Sequence, residues 1–163
     1  MTKPIYDNRS QTIGDSAESL FILACEKRGW ASPTRSLKKQ DIYEHWDVSM
    51  STGTKVDIKA AKRMRRSDGA TQSVNVYVEF KGVTGHDGWL YGKADVIAFE
   101  REDDFIVVRR DLLAKLCELF VDEKWASRPT LYQSYRRHNR PDERVGLILM
   151  DDIIKLRPFI LPK

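Results

Sequence analysis

The stretch Trp46–Lys62, WDVSMSTGTKVDIKAAK, carries two aspartates ten residues apart, Asp47 and Asp57, on either side of the turn sequence Ser51-Thr52-Gly53-Thr54. Lys59 follows two residues after the second aspartate. A tight hairpin centred near Thr52 and Gly53 sets the two carboxylates opposite one another on neighbouring strands, and the two-residue period of a strand puts Lys59 on the face of Asp57. Paired carboxylates beside an ammonium suit a divalent cation and a phosphate.

Working outward, Tyr43 to Met50 reads as the first strand of this hairpin and Lys55 to about Arg63 as the second. The segment SVNVYVEFKGV then alternates, with Val74, Val76, Val78 and Phe80 on one face and Asn75, Tyr77, Glu79 and Lys81 on the other. A near-symmetric turn around Ser67, Asp68 and Gly69 would place Glu79 opposite Asp57, giving three carboxylates across three strands. Upstream, a leader over residues 1–14 precedes a helix that starts at Asp15 or Ser16 and stops at Gly29. Ala17, Leu20, Phe21, Leu23 and Ala24 form its apolar face, and Glu18 borders that face. Pro33 marks ASPTRSLKKQD as a loop.

Downstream, GVTGHDGWLYG is a glycine-rich connection, and ADVIAFE and DFIVVRR pair as strands. Arg110 to Lys124 has helical periodicity, with Leu112, Leu113, Leu116, Leu119 and Phe120 as buried positions. VGLILM is the expected last strand, within a basic C-terminal segment over residues 132–163. These elements predict an α/β domain: a helix on a mixed sheet of about five strands, with a second helix after the strand pair. At 163 residues the chain fits one such domain.

Several classes fall away. No run approaches the ~20 apolar residues of a membrane span, and the N-terminus lacks a signal peptide's apolar core, so a soluble cytoplasmic protein with no membrane partner is expected. Cys25 and Cys117 fall in helical patterns and read as buried thiols. His45, His86 and His138 have no zinc-pair spacing. The glycines at 82, 85, 88 and 92 match neither a phosphate loop nor a dinucleotide fingerprint, and no serine elbow is present. The formal charge of +4 is concentrated in two clusters: Lys62, Arg63, Arg65 and Arg66, then Arg136, Arg137, Arg140 and Arg144. Basic clusters beside aromatic and apolar segments suit a nucleic-acid backbone.

Phosphodiester cleavage needs a positioned water, neutralised phosphoryl charge and a stabilised leaving oxygen. Mg²⁺, with Mn²⁺ able to substitute, serves the last two with few protein ligands. Asp47 and Asp57 supply carboxylates, the carbonyl after Asp57 adds a strand ligand, and Lys59 orients or deprotonates the water. Glu18 reaches the same edge from the helix, and Glu79 stands beside Asp57 as a further ligand.

A helical glutamate in SAESLFILACEKRGW, the aspartate in HWDV and the Asp-x-Lys of VDIKAAK stand in an order that resembles the PD-(D/E)xK nuclease superfamily. That family includes many restriction endonucleases, archaeal Holliday-junction resolvases and phage nucleases. Trp46 stands where the family commonly has proline, and no helix is read between the lysine strand and the next. The resemblance implies a restriction-endonuclease-like mixed sheet flanked by helices, with Glu18, Asp47, Asp57 and Lys59 as active-site residues. It further implies a Mg²⁺-dependent DNA endonuclease, of a size that fits a phage-encoded enzyme acting in the host cytoplasm. Glu79-Phe80-Lys81 repeats the acid-x-lysine spacing and would take Asp57 as its upstream aspartate. Cutting both strands of a duplex calls for two sites, hence a homodimer. The competing expectation is a non-catalytic nucleic-acid-binding protein of nuclease-like fold, and RNA is the alternative substrate.

Overall fold

The computed structural model describes residues 8–64 and 67–163, so the first half of the leader, Arg65 and Arg66 lie outside the described residues. The elements run α1 (Asn8–Lys27), β1 (Thr34–Arg35), α2 (Lys38–Glu44), β2 (Val48–Ser49), β3 (Lys55–Lys59), β4 (Asn75–Lys81), β5 (Val96–Glu100) and β6 (Asp104–Arg109). They continue through α3 (Arg110–Phe120), β7 (Asp122–Trp125), β8 (Gln133–Tyr135), β9 (Arg144–Leu149), α4 (Met150–Ile154) and β10 (Phe159–Pro162), with a 3₁₀ turn at Trp89–Tyr91. The class is mixed α/β, but with two sheets rather than one. A six-stranded sheet has the order β1-β2-β3-β5-β6-β10, and a four-stranded sheet has the order β4-β9-β8-β7.

The layers follow from alternation along the strands. Val56 and Ile58 of β3, Ala98 of β5 and Phe105 of β6 face α1 and pack with Ala17, Phe21, Ala24 and Cys25. Phe21 and Phe105 meet edge to face at 5.3 Å. On the opposite face, Ile97, Phe99, Ile106 and Val108 meet Val76, Val78 and Phe80 of β4, together with Leu113, Cys117 and Ile148. Each such large side chain taken fully from water contributes about 1.5–3 kcal/mol, so this interior between the sheets holds the second sheet in place. Asp57 and Lys59, alternating with Val56 and Ile58, therefore stand on the face of β3 turned toward the second sheet.

Four expectations are corrected. First, α1 continues through Gly14 back to Asn8. Asp15 is thus inside the helix rather than at its start. Second, part of the expected loop, together with Tyr43 and Glu44, forms α2. This short helix begins beyond the reach of Pro33, and the Gln40 side chain accepts the Leu37 N–H at 2.9 Å. The first hairpin strand shrinks to Val48–Ser49.

Third, β4 does not pair with β3. The neighbour of β3 is β5, in parallel register, with Asp57 opposite Ile97 and Lys59 opposite Phe99. Parallel neighbours need a crossover, and β4 and the 3₁₀ turn supply it while β4 pairs antiparallel with β9. Glu79 consequently lies opposite Val145, not Asp57.

Fourth, α3 ends at Phe120, and its buried residues are Leu113, Ala114 and Cys117. Leu119 is 82% exposed because it projects off that stripe, and Phe120 meets Tyr132 edge to face at 6.0 Å near the surface. VGLILM is a strand but not the last one, since β10 follows and pairs with β6. Pro162 is tolerated there because β10 is an edge strand. Both cysteines are free and buried, as expected. Among the described residues no helix is long and apolar enough to cross a membrane.

Candidate active site

The hairpin forms in the register that its turn dictates: Val48 lies opposite Val56 and Ser49 opposite Lys55. Gly53 adopts φ +87°, which favours glycine, and its N–H reaches the Met50 carbonyl at 2.9 Å to close the turn. Asp47 still joins the main-chain ladder, its N–H donating to the Val56 carbonyl at 2.8 Å, while its own carbonyl accepts the Ser36 N–H at 2.7 Å. Asp47 uses its side chain where a carbonyl would have continued the ladder: its Oδ2 accepts the Ile58 N–H at 2.6 Å. This bond fixes the Asp47 carboxylate against β3, across from Asp57.

Both carboxylates are buried, Asp57 at 3% exposure and Asp47 at 9%. Asp57 Oδ1 accepts from Lys59 Nζ at 2.8 Å. Its Oδ2 is enclosed and meets no hydrogen-bond donor among the described residues. An enclosed carboxylate oxygen without a partner is costly and marks a position where a cation or water belongs. Burial, and next the charge of Asp57, push the Asp47 carboxyl up to about 8, against the pull of the Ile58 N–H and Lys59. Two buried acids facing one another in this way favour a shared proton or a shared cation.

Lys59 is held charged. Burial alone would lower its pKa, but the charge and hydrogen bond of Asp57, then Asp47 and Glu79, raise it above the ordinary lysine value. Its Nζ also lies 4.9 Å from the centre of the Trp89 ring, itself packed edge to face on Phe99 at 6.1 Å. A lysine held as ammonium donates hydrogen bonds and opposes negative charge, so the structure favours an orienting and electrostatic role over proton abstraction. Trp89 is placed by Gly88. The Gly88 N–H meets the Phe80 carbonyl at 2.9 Å, and a Cβ there would stand 2.3 Å from the Glu79 carbonyl oxygen.

Glu18 is carried by α1, which packs on the Val56 and Ile58 face of β3, and its charge reaches Asp47 only as the smallest of the effects on that carboxyl. Glu18 Oε2 is paired with Arg35 at 2.5 Å, and Arg35 also donates to Ser19 Oγ at 2.9 Å. Desolvation raises the Glu18 carboxyl, Arg35 opposes this, and Asp15 and Asp41 add to it. Asp41, in the first turn of α2, was not identified from sequence. Desolvation and then the charge of Asp57 raise its carboxyl, which places it in the field of the buried pair. The only local signal is an acid in the first turn of a seven-residue helix whose sequence reads as loop up to Asp41 and as strand from Tyr43. Among the described residues no three His, Cys, Asp or Glu side chains are grouped so as to hold an ion as they stand. Asp47 and Asp57 are a pair, and a pair with water is an ordinary coordination for Mg²⁺.

Glu79 reaches this region by a different route from the one expected. It lines a cavity of about 280 Å³ together with Lys59, Lys62, Trp89 and His45. Its charge is felt by Lys59, Lys62 and Arg137. Lys81 is separated from it by a register irregularity in β4, is exposed and pairs through its backbone with Asp87, so Glu79-Phe80-Lys81 does not form a second centre with Asp57.

The two basic clusters, far apart in sequence, converge. Lys62 and Arg137 line one cavity of about 410 Å³ with Tyr77, Glu79, Trp89 and Tyr135. Burial, and then the charges of Lys59 and Arg137, lower the Lys62 pKa. Arg63 donates to the Asp68 carbonyl at 3.3 Å. Arg137 is clamped by a bidentate ion pair with the buried Glu143, and Arg140 lies 3.7 Å from the same carboxylate. Arg136 lies 3.9 Å over the Trp125 ring, and Arg144 4.2 Å over Phe80. The second cluster is thus partly structural: Glu143 and the rings hold its guanidinium groups in place. No protein-family model matches the chain, and neither a curated protein nor a solved structure gives a match.

Proposed function

We propose that this protein hydrolyses DNA phosphodiester bonds in a reaction dependent on Mg²⁺ or Mn²⁺, as an endonuclease with a restriction-endonuclease-like core. The observation that carries this reading is the buried Asp47 and Asp57 pair, with one enclosed carboxylate oxygen unpartnered and the Lys59 ammonium 2.8 Å from the other. The core reading is supported by the order of elements: a helix bearing Glu18, a hairpin bearing Asp47 and Asp57-x-Lys59, and a parallel neighbour reached by a crossover.

Asp47 and Asp57 would hold the cation, whose charge would neutralise phosphoryl oxygens and acidify a water. The Ile58 N–H keeps the Asp47 carboxylate in position for this. Lys59, fixed by Asp57 and Trp89, orients the attacking water or bears on the phosphoryl oxygens. Glu18, neutralised by Arg35, and Asp41 set the field around the pair. Lys62 and Arg137, which line one cavity, contact the backbone to one side of the scissile bond.

Glu79 in this account balances the charges of Lys59, Lys62 and Arg137 and repels an incoming phosphate. Glu79→Gln is therefore expected to tighten DNA binding roughly 3-fold or more at low salt, read by fluorescence anisotropy without divalent cation. Weaker binding together with lost cleavage would instead make Glu79 a cation ligand.

A non-catalytic binding protein is the second reading, favoured by the pairing of Lys59 with Asp57 and the convergent basic clusters. Incubation of plasmid, linear and branched DNA with and without Mg²⁺ or Mn²⁺ separates the two. Cation-dependent cutting that is lost in an Asp57→Ala/Lys59→Ala protein is the expected result. Salt-sensitive binding with every substrate left intact would establish the second reading.

A further inference from the structure

Three neighbouring cavities, each sharing lining residues with the next, make a track leading away from Lys59. The first, of about 280 Å³, contains Lys59 and shares Lys62, Tyr77, Glu79 and Trp89 with the second, of about 410 Å³. The second shares Tyr135 and Arg137 with a third of about 440 Å³, where Arg136 and Arg140 lie. Strand register builds the floor of the middle cavity: Glu79 on β4, Val145 on β9 and Tyr135 on β8 stand side by side. Its opposite wall includes Lys62 and Met64, in the segment bridged to Gln72.

Lys59, Lys62 and Arg137 share this path with the rings of Tyr77 and Tyr135, while the buried Trp89, with Lys59 over its ring, closes the inner end. That combination is what an unpaired nucleic-acid strand needs: cations follow the phosphates, and rings take the faces of unstacked bases. Cavities of this size accept small-molecule-sized groups such as a nucleotide. A duplex hides its base faces in its own stack and offers only groove edges and backbone, so it cannot use rings recessed in cavities. The site is also prearranged, because Arg137 is fixed by Glu143 and Arg136 by Trp125.

We infer that the track binds a single-stranded segment of DNA, so that the preferred substrate carries unpaired nucleotides beside the scissile phosphate. The cleavage part rests on the nuclease reading above, whereas strand binding does not.

The test uses the full chain in EDTA with two fluorescein-labelled probes, a single-stranded oligonucleotide and the blunt duplex of the same sequence, followed by anisotropy. Wild-type protein binds the single strand more tightly than the duplex. Tyr135→Ala weakens single-strand binding at least about 5-fold, the loss of one base stack. Tyr135→Phe, which keeps the ring, restores it, and neither change moves duplex binding. Thermal melts confirm that each variant is folded. Equal binding of both probes, or equal weakening of both by Tyr135→Ala, overturns the inference.

The same probes with Mg²⁺, joined by a duplex with a single-stranded tail, separate the two claims. Cutting of the tailed substrate in preference to the blunt duplex supports the inference. Cutting confined to the blunt duplex overturns it and leaves the nuclease reading standing. Strand binding as expected with no cutting of any probe overturns the nuclease reading and upholds the track.

Discussion

Asp57→Asn is expected to reduce cation-dependent DNA cleavage by at least about 100-fold, and Lys59→Ala by a comparable factor. The aspartate change removes one of two carboxylates available to a cation and leaves the asparagine oxygen with far less charge. The lysine change removes an ammonium that Asp57 and Trp89 hold in one place. The double variant should lose little more than either single one, because residues that act on one reacting group are not additive. Rates of supercoiled plasmid conversion, measured on proteins whose thermal melts match wild type, check this. A purely structural ion pair predicts the reverse pattern: altered stability and unaltered cutting.

The second large effect is on stability. An acid whose carboxyl is raised to about 8 in the folded protein keeps its proton where the unfolded chain, with an ordinary carboxylate, has already lost it. Between about pH 4 and pH 8 the folded state then binds more protons, so stability falls as pH rises through that window, by up to about 5 kcal/mol at ~1.4 kcal/mol per pH unit. Without divalent cation the melting temperature should decline from pH 5 to pH 8.5. Asp47→Asn should flatten most of that decline and stabilise the protein at pH 8, since an amide oxygen can still accept the Ile58 N–H. Saturating Mg²⁺ at pH 8 should likewise raise the melting temperature of wild type, and do so much less in Asp47→Asn. A pH-independent melting temperature, or an unchanged slope in the variant, would mean that the pair is not strained in this way.

The parts of the site that were legible in sequence are the local ones. A four-residue turn fixes the register of its own hairpin, so Asp47, Asp57 and Lys59 could be placed together from spacing alone. The alternation of Val76, Val78 and Phe80 likewise showed that β4 buries one face. It did not show against what: those side chains pack face to face on Ile97 and Phe99 of the other sheet, and the strand edge pairs with β9. Adjacency in sequence therefore gave the wrong neighbour for β3, and with it the wrong position for Glu79. Asp41 was hidden because seven residues carry too little periodicity to announce a helix. The meeting of Lys62 with Arg137 depends on how the segment after β3 lies over the second sheet, and no local pattern encodes that. The resemblance to PD-(D/E)xK nucleases rests on the same local order of acids and lysine, so it shares both the strength and the reach of that evidence.

The most direct measurement is calorimetric titration of the protein with Mn²⁺ at pH 7, repeated in two buffers of different ionisation enthalpy. If Asp47 and Asp57 form a cation site, binding is saturable and releases close to one proton, because the Asp47 carboxyl is mostly protonated at that pH and must ionise to take the ion. Both the binding and the proton release should disappear in Asp57→Asn. Absence of saturable binding to wild type, or an isotherm unchanged by Asp57→Asn, would contradict the assignment of the buried pair as the catalytic cation site.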